Sequence, residues 1–200
     1  MPKRVDHVRR RDELAALVVQ VVESEGAEAA TFRRIAEAGR FSMGVLTHYF
    51  RDKDELIASA FDWLARESFA ALNARLRAAP AGLARLSASL SFMVPAAGEV
   101  TYAGVWLALW SAARHNRTLA TVHREYYARW RRLIAKNLRE ARQLGEVASS
   151  ESDSDLVDLL VGGIDGLWLG VVLEARRYPP ARRRRLVDAL IRALTQADRA

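Results

Sequence analysis

Apolar residues recur every three or four positions along most of this 200-residue chain, and no stretch of useful length alternates apolar with polar. That pattern restricts the fold to packed helices, because side chains return to one helix face every third or fourth residue and to one strand face every second. Leu14, Leu17, Val18, Val21 and Val22 share one helical face, and Gly26 closes that helix. Ala27–Ala30 form a short connection. Thr31 reads as the N-cap of a second, short helix whose inward residues are Ile35 and Ala36. Gly39 follows where a left-handed turn residue is expected. Ser42 reads as the cap of a third short helix, with Val45, Leu46 and Phe50 available for its inner face. Asp52 with Glu55 resembles a capping box led by Asp, opening a longer helix through Leu56, Ile57, Ala60, Phe61 and Leu64. Later helices are expected at about 82–94, 100–114, 118–143, 153–176 and 180–197, punctuated by Pro80, Pro95 with Gly98, His115-Asn116, Gly145 with 149–154, and Pro179-Pro180. The expected fold is all-α, with about nine helices.

Composition narrows the chemistry. Half of the residues are hydrophobic, which is enough for a sizeable core. With no Cys, disulfides, thiolate metal sites and thiol catalysis are excluded together. The four His (7, 48, 115, 123) are dispersed, and no phosphate-binding G-x-x-x-x-G-K, zinc H-E-x-x-H or nucleophile G-x-S-x-G occurs. Neither a catalytic residue nor a metal or cofactor is therefore expected. The N-terminus is polar and basic, with no apolar run behind it to act as a signal peptide. Residues 156–173 reach roughly the length of a bilayer span, but they contain Asp158, Asp165 and glycines at 162, 163, 166 and 170. A buried helix of a cytoplasmic protein, with no membrane partner, is the better reading.

The formal charge of +7 suggests an anionic partner such as nucleic acid. Its location weakens that argument. Residues 1–60 hold ten Lys+Arg against ten Asp+Glu, so the remainder carries the whole surplus, mainly at 124–142 and 182–185. Those runs suit solvated helix faces. The useful asymmetry is local: Lys3, Arg4 and Arg9–Arg11 read as a basic arm, and 33–53 holds five basic against two acidic residues.

Residues 31–50, TFRRIAEAGRFSMGVLTHYF, place a short capped helix, a turn and a second short helix at the spacing of a helix-turn-helix. The second helix of such a unit must stand clear of the body to enter the major groove. A helical small-molecule-binding or interaction protein that binds no DNA could carry the same turn. The outward set is what favours DNA: Met43, Gly44, Thr47, His48 and Tyr49 are unusual on a purely solvated face, and Arg51 and Lys53 flank them.

These residues resemble the TetR family of bacterial one-component regulators. The resemblance runs through Thr31, Ile35-Ala36, Ala38-Gly39, Ser42-Met43-Gly44, Tyr49-Phe50 and Lys53, and covers residues 9–61. LTHYFRDK (46–53), the opening MPKR and IDGLWL at 164–169 look further like the branch containing the choline-responsive repressor of betaine synthesis. Thr47 stands where most of the family has Tyr, and Phe41 where Val is usual; the second change should alter packing more than readout. The resemblance implies a homodimer that binds a double-stranded DNA operator and releases it when a small-molecule effector enters the C-terminal part. It implies an N-terminal helix-turn-helix DNA-binding domain over 1–55 and a ligand-binding and dimerisation domain over 56–200. It also implies phosphate contacts from Thr31, Arg33, Tyr49 and Lys53, and an approach to base edges by Met43, Gly44, Val45 and His48. Ser42 and Thr47 complete that set. Because the recognition helix lacks Arg, Asn and Gln, bidentate base contacts are absent and DNA shape is expected to contribute heavily to specificity.

Tyr102, Trp106 and Trp110 lie four residues apart on one helix side, and Trp168 follows Asp165 by three. A core produces such stripes too. The functional reading is a cavity in which Trp faces and the Asp165 carboxylate hold an organic cation. Gly162, Gly166 and Gly170 recur every four residues and suggest close approach by another helix, which the family resemblance places at a dimer interface.

Overall fold

The computed structural model describes residues 2–94 and 103–196. Among them are nine α-helices and no strand, as the periodicity predicts: α1 (Pro2–Glu25), α2 (Phe32–Gly39), α3 (Met43–Tyr49), α4 (Lys53–Leu76), α5 (Leu83–Met93), α6 (Ala103–Ala113), α7 (Arg117–Gln143), α8 (Asp153–Leu173) and α9 (Pro180–Thr195). The expected helix starting at 100 begins at Ala103 among the described residues. The expected helix 153–176 ends at Leu173 and passes into a 3-10 turn, Ala175–Arg177. There the Tyr178 ring closes on Gly170, within 2.8 Å of where a Cβ would stand.

The chain forms two compact units, Met1–Phe69 with Thr101–Tyr126, and Ala70–Val100 with Tyr127–Ala200. The expected DNA-binding segment 1–55 is thus one part of a larger, discontinuous unit. In that first unit α1 contributes Leu14, Val18, Val21 and Val22 to a core completed by Ile35 and Ala36 of α2, Leu46 of α3, Phe50, and Leu56, Phe61 and Leu64 of α4. Val105 and Leu109 of α6 close the same core. The Glu23 carboxylate of α1 accepts a hydrogen bond from the Gly104 amide in the first turn of α6 (3.1 Å), satisfying a donor the helix cannot satisfy itself.

The local devices of the first unit match their sequence signals, with three corrections. Thr31 caps α2 by accepting from the Arg34 amide at 3.2 Å. Ser42 holds the N-cap position of α3, but its side chain makes no cap hydrogen bond. Gly39 is not the left-handed residue. It is the last helical residue, and the left-handed turn falls on Arg40 (φ 54°). Its Arg40 and Phe41 amides bond back to Glu37 and Ala36 (3.2 and 3.1 Å), which satisfies two end carbonyls of α2. What Gly39 supplies is room: a Cβ there would lie 1.8 Å from the Phe41 ring. Phe41, the departure from the usual Val, is partly buried against the core, so it does act on packing. The third correction concerns Asp52–Glu55. Asp52 accepts from the Glu55 amide (2.8 Å), but Glu55 returns to the Arg51 amide (2.9 Å), one residue earlier than in an ordinary capping box.

In the second unit α5 packs on both α8 and α9. Its core draws on Leu86 and Leu90, on Ile134 and Leu138 of α7, on Leu160 and Ile164 of α8, and on Val187 and Ile191 of α9. A buried polar pair ties α7 to α5: Asn137 donates to Ser89 Oγ (2.8 Å), which donates to the Arg85 carbonyl (2.8 Å). By length and composition α8 could cross a membrane, with mean hydropathy 1.9. Its residues Leu156, Val157, Leu160, Val161, Ile164, Trp168 and Val171 are instead buried within the protein.

Candidate DNA-binding face and effector site

Seven residues make α3, fewer than an isolated helix needs for stability, so its orientation depends on what it rests on. Leu46 and the following Phe50 are buried, Val45 and Tyr49 are partly buried, and the opposite face is bare. Ser42, Met43, Gly44, Thr47 and His48 are all exposed, with Met43 at 50%. An apolar side chain left in water on a short, clear-standing helix is what base-edge contact requires. Thr31 and Arg33 are exposed at the start of α2. The candidate residues of α2 and α3 are therefore mostly exposed, with Val45 and Tyr49 the members turned partly toward the core.

Several side chains there are already engaged. Arg33 pairs with Glu37 one turn along (3.0 Å), and Lys53 donates to the Glu28 carbonyl (3.3 Å). Thr47 donates to the Gly44 carbonyl (3.2 Å). The Tyr49 ring lies against His7 of α1 (4.4 Å) and edge-on to His48 (5.1 Å). The basic arm also needs correcting. Arg10 pairs with Glu13 (2.9 Å). Arg11 turns inward to the Tyr49 carbonyl (3.1 Å) and Glu55 (3.0 Å). Arg34, which the spacing did not single out, forks onto both oxygens of Glu25 (2.6 and 2.8 Å) and ties α2 to α1. These cations hold carboxylates below their usual range: Glu25 chiefly through Arg34, and Glu55 chiefly through the Arg51 amide and then Arg11.

The residues expected to bind an effector divide between the units, and Tyr102 lies outside the described residues. In the first unit Trp106 is half-buried, its ring 4.6 Å from Tyr126 and 6.5 Å from Phe61, and Tyr126 meets Phe69 at 5.7 Å. Trp110 is half-buried in the same unit. In the second unit Trp168 is buried. Asp165 accepts a hydrogen bond from the Tyr127 hydroxyl (3.0 Å). Arg131 lies over the Tyr127 ring (5.6 Å) and pairs with Asp158 (2.7 Å), about two helical turns before Asp165 on α8. Burial pushes the Asp165 carboxyl up to about 6, against the opposing pull of the Tyr127 hydroxyl and Arg131. Tyr127 lies outside the set that the aromatic spacing singles out.

The three glycines of the row have different surroundings. Gly162 and Gly166 face open space, whereas Gly170 is covered by Tyr178 of its own chain. Gly163, between them, meets Leu190 of α9. The absence of a side chain at 170 thus makes room for an internal contact. Among the described residues no group of three His, Asp or Glu could hold a metal ion.

Comparison with known proteins fits these two regions. The model of the bacterial regulatory proteins of the tetR family matches residues 19–60, and that of the BetI-type transcriptional repressor C-terminal region matches 82–196. The chain is 33% identical to the HTH-type transcriptional regulator BetI of Burkholderia thailandensis, over 84% of this chain and 85% of that protein. It is 28% identical to the HTH-type transcriptional regulator PksA of Bacillus subtilis, over 99% of this chain and 96% of that protein. A transcriptional regulator from Saccharomonospora viridis, solved in complex with choline, shares the fold with a TM-score of 0.82 at 21% identity, covering 93% of this chain and 96% of that one. A helix-turn-helix with a bare recognition helix, followed by a helical region of the BetI type, makes this chain a member of the TetR family of DNA-binding transcriptional regulators, which is not a family of enzymes.

Proposed function

We propose that this chain is a cytoplasmic repressor that binds a near-palindromic operator as a homodimer and leaves it when an organic cation binds. The observation that carries the DNA half is the bare outer face of α3, from Met43 to His48. Met43, Gly44, Val45 and His48 would meet base edges, while Thr31, Arg33, Ser42, Thr47, Tyr49 and Lys53 contact the backbone. Arg33 and Lys53 exchange their internal partners for phosphates on docking.

The effector half rests on Asp165. A carboxyl whose ionised form is penalised by burial, and which among the described residues receives a phenol hydroxyl and only a weaker pull from Arg131, gains from a ligand that brings positive charge. Trp168, in the same unit, is the aromatic candidate for cation–π contact, whereas Trp106 and Trp110 belong to the first unit. Choline in the Saccharomonospora viridis regulator is consistent with that chemistry. For the dimer, Leu159 (52% exposed), Gly162, Gly166, Leu169 and Leu173 (67% exposed) form an apolar seam along α8 with the spacing of a helix pair.

A gel shift with the protein's own upstream DNA, with and without choline, betaine and polyamines, tests the whole reading. The expected result is a shifted band of a dimer that one of these cations abolishes. A shift insensitive to every cation overturns the effector assignment. A monomer by light scattering at micromolar concentration overturns the dimer.

A further inference from the structure

We infer that Arg11 is the positioning residue of the recognition helix, setting the angle at which α3 reaches DNA without touching DNA itself. The sequence places it in a basic run, where a phosphate contact is the obvious role. Its geometry is different. One terminal nitrogen donates to the Tyr49 carbonyl at the end of α3 (3.1 Å), and the other to Glu55 Oε1 in the first turn of α4 (3.0 Å). The guanidinium plane lies over the Phe50 ring at 4.9 Å. Glu55 Oε2 in turn accepts from the Arg51 amide (2.9 Å), so one carboxylate joins α1 to the link between α3 and α4.

A seven-residue helix has carbonyls at its C-terminus with no partner of its own, and a cation there satisfies one of them with favourable charge. His7 stands one turn before Arg11 on α1 and meets the Tyr49 ring at 4.4 Å. The same face of α1 therefore holds both the backbone and the side chain of Tyr49. Lys cannot replace Arg11 in this role, because only a planar fork can bridge two acceptors while stacking on a ring.

The test uses the full-length protein with a labelled duplex carrying its footprinted operator and a scrambled duplex of equal length, titrated across a salt series. Active concentration is fixed by stoichiometric titration and folding by thermal unfolding. For Arg11→Ala the expected result is a loss of about ten-fold or more in operator affinity. Scrambled DNA stays within about two-fold, and the salt slope does not change. Arg11→Lys is expected to behave like Arg11→Ala, and it carries the test if the alanine variant fails to fold. The inference is overturned if both duplexes weaken alike with a slope reduced by about 0.9 per lost contact, or if Lys restores binding, since either marks a phosphate contact. Unchanged operator affinity overturns it equally.

Discussion

Glu55 in the first unit and Asp165 in the second are both partly buried carboxyls on helices, yet their surroundings push them in opposite directions. Glu55 receives the Arg51 amide and the Arg11 guanidinium and is held below its usual range. Asp165 receives one phenol hydroxyl, has Arg131 engaged with Asp158 nearby, and is raised to about 6. At the DNA-binding end charges are matched internally and fix the placement of short helices. In the second unit one charge is left under-compensated, a state that favours an external partner. A region that presents a DNA-binding surface and a region proposed to respond to a ligand use the same side-chain chemistry for different ends.

The largest effect should come from removing the unmatched charge. Asp165→Asn is expected to weaken organic-cation binding by about 100-fold or more, of the order of a lost charge-assisted contact. The same substitution should stabilise the free protein near pH 7 by about 2 kcal/mol. The sign follows from linkage. The folded-state value of Asp165 lies above its unfolded value, so its contribution is fully favourable below about pH 4 and is lost as pH rises through about 6. Denaturation of the two proteins at pH 4 and pH 7 should give equal stabilities at the first and a gap at the second. For wild type, cation affinity should rise with pH through about 6, with a proton released on binding near the midpoint. Calorimetry in buffers of different ionisation enthalpy measures that release, and pH-independent binding would remove the contrast with Glu55.

Smaller effects sharpen the other side. Gly39→Ala places a Cβ in the Phe41 ring and should cost about 1–3 kcal/mol, with Phe41→Val in the same chain recovering most of it. Absence of that rescue in a double-mutant cycle would locate the strain elsewhere. Thr31→Ala removes the α2 cap and should cost about 1 kcal/mol by chemical denaturation. Arg40→Gly relieves a left-handed residue and should gain about 0.5–1 kcal/mol, although it also removes an exposed cation.

What could be read from the chain divides by the range of the forces involved. Helices, the Thr31 cap, the closing Gly26 and the inward set of α1 are decided within a few residues, and they stand in the sequence. Arg40 in the left-handed region is not readable, because it is the Phe41 ring that claims the space beside Gly39. Spacing makes Gly162, Gly166 and Gly170 equivalent; only the return of Tyr178 distinguishes the third. Arg9, Arg10 and Arg11 look alike in a run of charge, and the partner 44 residues away decides which one turns inward. Likewise the aromatic stripe shows that Trp106 and Trp110 share a helix side, but not that Asp165 belongs to the other compact unit.

The hydrogen bond from Gly104 to Glu23 spans 81 residues, and α6 covers the core of the helix-turn-helix unit only after the chain has left and come back. As synthesis proceeds, the residues proposed to read DNA emerge first, yet their foundation stays open until Val105 and Leu109 follow. A fragment ending near residue 80 would expose that apolar seat and aggregate, while a nascent chain would become competent for DNA only once α6 has left the ribosome. The order of the elements along the polypeptide thus delays operator binding until α6 has been made.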